Sequence, residues 1–104
     1  MTQQMRLKVV LAEGSCIVRA LRVTPYFAVH REYPHWPSHG YRLTHIPTGY
    51  RVAGGLKDAK QAAALARALT RAFGVQRWNF TDPRAAGEMG KRPRAIIQKF
   101  GGTW

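Results

Sequence analysis

Apolar and polar residues alternate along residues 5–12, with Met5, Leu7, Val9 and Leu11 on one side and Arg6, Lys8 and Val10 on the other. That period of two predicts a strand with one buried face. Glu13-Gly14 supplies a turn and residues 15–23 are again rich in β-formers, so the two segments read as a hairpin. Its second strand carries Arg19 and Arg22 among Cys16, Ile17, Val18 and Leu21. Thr24-Pro25 interrupts this strand, because proline cannot donate to a ladder. Residues 26–31 then resume in extended form, as either a third strand or a continuation beyond a bulge. Residues 33–40, with two prolines, a glycine and no period, read as a loop. Residues 41–46 alternate once more, Pro47-Thr48-Gly49 has the composition of a tight turn, and residues 50–53 return as the partner strand.

After Gly54-Gly55 the period lengthens to that of a helix. Asp58 is an N-cap or first-turn acid, Gly74 suits the C′ position, and the alanine-rich stretch between them has high helix propensity. Ala62, Leu65, Ala66, Leu69 and Phe73 form an apolar stripe that must pack on the sheet. Lys57, Lys60, Arg67 and Arg71 line the opposite side, at some cost from repulsion between like charges. Residues 75–80 read as a short additional strand anchored by Trp78 and Phe80. Thr81-Asp82-Pro83 starts a further helix, kept short by Gly87 and Gly90, and residues 95–100 suit one or two amphipathic turns. The sum is a single α+β domain over residues 1–104. An antiparallel sheet of four to five strands (about 5–53) carries one long amphipathic helix (about 57–73) on one face, followed by short C-terminal helices (about 83–99).

Charge changes the picture more than length does. The 104 residues hold 17 Lys plus Arg against 5 Asp plus Glu, a formal net charge of +12. Such a chain repels itself unless it meets an anionic counterpart, which points to nucleic acid, an anionic surface or an acidic protein. Twelve of the cations are arginine, whose planar fork grips phosphate or carboxylate and stacks on rings. The excess is spread over both halves, +5 in residues 1–52 and +7 in 53–104, so it is not a basic tail. The densest run is Lys91-Arg92-Pro93-Arg94, with Lys99 beyond it.

Other chemistry is sparse. No apolar run approaches the roughly 18 residues of a membrane span, and Met1-Thr2-Gln3-Gln4 leads into a charged segment and not a secretory leader, so a cytoplasmic protein is expected. The single cysteine, Cys16, excludes an internal disulfide and a cysteine zinc cluster. It sits in a strand, where a small core side chain is expected and not a nucleophile. The five acids, Glu13, Glu32, Asp58, Asp82 and Glu88, are widely separated and fall at turns or helix starts. Gly54-Gly55 lacks the Lys and hydroxyl of a phosphate-cradling loop. No enzyme activity and no cofactor are therefore expected. His30, His35, His39 and His45 cluster in sequence, but without cysteine or paired acids they are read as neutral hydrogen-bonding groups and not metal ligands. Tyr33, His35, Trp36 and Tyr41, flanked by Arg31 and Arg42, offer planar faces that either stack on a partner or cover the end of the core.

The stretch YRLTHIPTGYRVAGGLKDAKQAAALARALTRA, residues 41–72, resembles small bacteriophage and prophage proteins with a Thr-His-x-Pro-Thr-Gly hairpin followed by an Ala-rich helix. The likeness covers about a third of the chain and implies a mobile-element origin and a sheet-then-helix topology. A fainter similarity is to the sheet-plus-helix DNA-binding domains of plant ethylene-response factors and phage integrase arm-binding modules. It would place Arg42, Arg51, Arg19 and Arg22 on an exposed sheet face, although the tryptophan-rich strands of those families are missing here. Two functions follow as expectations. One is non-enzymatic binding of nucleic acid, DNA ahead of RNA, through Arg42, Arg51, Lys60, Arg67, Arg71, Lys91, Arg92 and Arg94, with Trp36 as an aromatic contact. The other is a phage-encoded inhibitor, of which an anti-CRISPR would be one case, that docks on a host nuclease or polymerase complex.

Overall fold

Five antiparallel strands follow one another across the sheet in chain order: β1 (Gln3–Leu11), β2 (Gly14–Thr24), β3 (Phe27–Arg31), β4 (Tyr41–His45) and β5 (Arg51–Leu56). The helix α1 (Ala59–Phe73), a 3-10 turn (Val75–Trp78), α2 (Arg84–Gly87) and α3 (Arg92–Lys99) complete the chain. The computed structural model describes residues 3–11, 14–31, 40–87, 89 and 91–103. Trp36, Tyr33, His35, His39, Glu13, Glu32, Glu88 and Trp104 lie outside the described residues.

The alternation of the strands sorts two cores onto the two faces of the sheet. Phe27, Val29 and Leu43 point toward α1 and meet Leu65, Ala66 and Leu69 there, together with Leu56, Trp78, Met89 and Ile97. Leu7, Val9, Ala20 and Ala28 gather on the other face, with Met5, Cys16, Val18 and Ile46 against them. The connection Pro25-Tyr26 separates β2 from β3, and Thr24 Oγ1 accepts from the Phe27 amide at 3.1 Å. Residues 27–31 are thus a third strand and not an extension of the second.

The second core exists because the sheet coils. The Val10 amide donates to the Gly49 carbonyl at 2.8 Å, bringing the far end of β1 to the turn between β4 and β5. Gly49 has φ of 74°, and a Cβ there would stand 2.6 Å from the Lys8 carbonyl oxygen. Glycine is therefore required twice over, for the turn and for the close passage of β1.

Asp58 caps α1, its carboxylate accepting from the Gln61 amide at 2.7 Å, and the Gln61 side chain in turn accepts from the Lys57 amide at 3.0 Å. Gly74, at φ 85°, ends the helix. The strand expected at residues 75–80 is replaced by the 3-10 turn. Val75, Gln76 and Arg77 are exposed, so no alternating face is buried. The Trp78 indole donates to the Leu69 carbonyl at 3.2 Å, which folds the segment back onto the helix it has just left. Trp78 and Phe80 anchor it, as the sequence suggests. The last helix begins at Arg92, ahead of the expected residue 95, with Pro93 in its first turn. Ile97 is buried beneath α3, and the Gln61 side-chain amide donates to the Phe100 carbonyl, tying α1 to the end of α3. Gly102 fits where a Cβ would meet Leu56 at 2.9 Å, and Thr103 then pairs with Gly54 through two backbone bonds of 2.7 and 2.9 Å.

Candidate functional site

The cations singled out in the sequence do not form one surface. Lys60, Arg67 and Arg71 are exposed along the outer side of α1, turned away from the sheet. Arg92 lies over the Phe73 ring, 5.0 Å from its centroid. Arg42 is a correction: it is not on an exposed sheet face but only 3 % accessible. Its Nε donates to Thr44 Oγ1 at 3.1 Å and its Nη2 to the Val10 carbonyl at 3.2 Å. The coil of the sheet causes this, since β1 crosses the face that Arg42 occupies and covers it. The open arginine-bearing sheet expected from the fainter resemblance is therefore not formed, although Arg19 and Arg51 are exposed.

Three of the candidates do meet. Arg51 at the start of β5, and Lys91 and Arg94 around the start of α3, border a groove of about 590 Å³ between the edge of the sheet and the C-terminal helices. Its buried members, Trp78, Met89, Ile97 and His45, make the floor, and the half-buried Val52, Phe80 and Pro93 make the walls. Tyr50 stands on the rim, 46 % exposed. Arg51 Nη2 donates to Thr103 Oγ1 at 3.0 Å, so its guanidinium is held by the segment that pairs with Gly54. Of the described acids, Asp58 caps α1 and Asp82 pairs with Arg84 at 2.8 Å, and neither lines the groove.

His45 fixes the inner end of the groove. Its Nε2 faces the Trp78 carbonyl at 2.6 Å, an acceptor only, so that nitrogen carries the hydrogen and Nδ1 accepts from the Thr48 hydroxyl at 2.9 Å. The ring stacks on Phe80, centroids 4.3 Å apart and 23° from parallel. Burial lowers the His45 pKa below the ordinary histidine value, against the opposing pull of the bond to Trp78. The ring is therefore neutral at pH 7. His30 lies on the opposite face of the sheet, its Nε2 accepting from the Thr44 hydroxyl at 2.9 Å and its Nδ1 donating to the Arg31 carbonyl at 2.8 Å. Both described histidines thus spend both ring nitrogens on hydrogen bonds within the fold. Among the described residues no group of three or more His, Cys, Asp or Glu comes close enough to hold a metal ion.

Tyr50, Phe80 and Met89 were not singled out for the site by the sequence, because the lining comes from two separate stretches of the chain, His45 to Val52 and Trp78 to Ile97. The one linear signal was the Tyr50-Arg51 pair directly after a tight turn. Comparisons with protein families, curated proteins and solved structures find no match to this chain.

Proposed function

We propose that this protein binds nucleic acid without catalysing a reaction, and that the groove bordered by Arg51, Lys91 and Arg94 is where it does so. The observation that supports this reading is the pairing of three cations with an apolar, partly aromatic floor in one recess, in a chain whose net charge is +12. Phosphates along a backbone meet the rim, and most of the affinity comes from the counterions they release. The α1 stripe and the hairpin arginines add a long-range field that steers a polyanion toward the molecule.

The test is a titration of random-sequence DNA, duplex and single-stranded, across a salt series. Binding is expected to weaken linearly on a log–log plot. The triple variant R51Q/K91Q/R94Q is expected to flatten the slope by about 2, since each phosphate contact contributes about 0.7 on a single strand. Absence of binding to either form at low salt overturns the reading.

A further inference from the structure

Resting on that reading, we infer that the groove takes an unpaired base of a single strand, and that duplex is only a weaker, purely electrostatic ligand. A duplex presents phosphates and sugars outward and keeps its base faces inside, so it has nothing apolar to offer Val52, Phe80 and Met89. An unstacked base does, because every base has a π-face that an aromatic ring accepts. The recess of about 590 Å³ lies within the roughly 300–1,000 Å³ range of sites that enclose a small organic group.

Two features make the site ready for such a base. Phe80 is already held by its stack on His45 at 4.3 Å, so its ring is oriented before any ligand arrives. Tyr50 stands exposed beside Arg51 on the rim, where a ring and a guanidinium can take a base and its phosphate together. The charge of the rim and the apolar character of the floor thus match the two halves of one nucleotide. Neither half alone accounts for both.

The experiment compares four probes by fluorescence anisotropy at one salt concentration: a single-stranded oligothymidylate, a strand of equal length and charge made of abasic units, a duplex, and thymidine monophosphate as competitor. The oligothymidylate is expected to bind roughly tenfold or more tightly than the abasic strand, the loss expected when a stacked base is removed. Tyr50→Ala is expected to narrow that gap, and Tyr50→Phe to restore it. Competition by the monophosphate at micromolar concentration would assign the site to free nucleotides and overturn the single-strand assignment. Equal affinity for the base-bearing and abasic strands, or a preference for duplex, overturns this inference and leaves the nucleic-acid reading standing. No binding to any probe overturns both.

Discussion

The imidazole Nε2 of His45, on β4, donates to the main-chain carbonyl of Trp78 at 2.6 Å, a bond between residues 33 apart in the chain. It ties the 3-10 turn to the sheet and survives in either charge state, whereas Nδ1 accepts from the Thr48 hydroxyl only while the ring is neutral. Trp78 completes the join from its side, edge-on to Phe27 with ring centroids 4.7 Å apart.

Acid should destabilise the fold here, because a buried ring that takes up a proton carries a charge out of water and can no longer accept from Thr48. The folded state lowers the His45 pKa, so its contribution to stability is complete above the unfolded value of about 6.5 and is lost as pH falls from there through the depressed folded value. Urea unfolding at pH 7.5 and pH 5 should show a larger loss for the wild type than for His45→Asn, which cannot titrate. Equal losses would refute the assignment.

Gly49 and Gly74 separate two costs of a side chain at positive φ. At Gly74, with φ 85° and ψ 146°, a Cβ meets nothing within 4 Å, so Gly74→Ala should cost about 1–3 kcal/mol from backbone conformation alone. At Gly49 the same methyl meets the Lys8 carbonyl at 2.6 Å, and Gly49→Ala should cost clearly more and lower the melting temperature further. Similar melting temperatures for the two variants would show that β1 yields easily.

Arg42 and Arg94 should behave as opposites. Arg42→Ala leaves Thr44 Oγ1 and the Val10 carbonyl short of a donor in a buried setting, a loss of about 1–3 kcal/mol per unsatisfied group. The fraction that remains folded should bind single strands as the wild type does. Arg94→Gln, on the rim of the groove, should weaken binding of single strands by the folded protein. Weakened binding by folded Arg42→Ala would return that residue to the site.

The outward stripe of α1 is a control of the opposite kind. K60Q/R67Q/R71Q removes like charges spaced along one helix face and should stabilise the helix slightly, by about 0.2–0.5 kcal/mol for the close pair Arg67 and Arg71. The preference for base-bearing over abasic strand should survive. Its loss would move the site from the groove to the helix.

The α+β architecture was legible because its signals are local: period two in β1, the Pro47-Thr48-Gly49 turn, and the apolar stripe from Ala62 to Phe73 between Asp58 and Gly74. Residues 75–80 misled because Trp78 and Phe80 are spaced as on a strand, whereas Trp78 is placed by a bond to Leu69 that no local pattern encodes. Arg42 misled for a related reason. Its strand was recognised, but its burial depends on β1 passing over that face, where the Val10 carbonyl that accepts from it is 32 residues away in the chain. Of the groove, Arg51, Lys91 and Arg94 could be named from charge; the rings and apolar side chains between them become neighbours only when α3 folds back toward β5.

The two outer strands of the sheet each make a backbone bond elsewhere in the same chain, the Val10 amide donating to the Gly49 carbonyl and Gly54 exchanging two bonds with Thr103. An uncovered outer strand is a template on which another copy can add. Here each template is broken partway along by an internal partner, while Arg6 and Lys8 put charge on the rest of β1. Copies crowded side by side along one long polyanion, their mutual repulsion screened by it, would still lack an unbroken row of amides through which to fuse into fibrils.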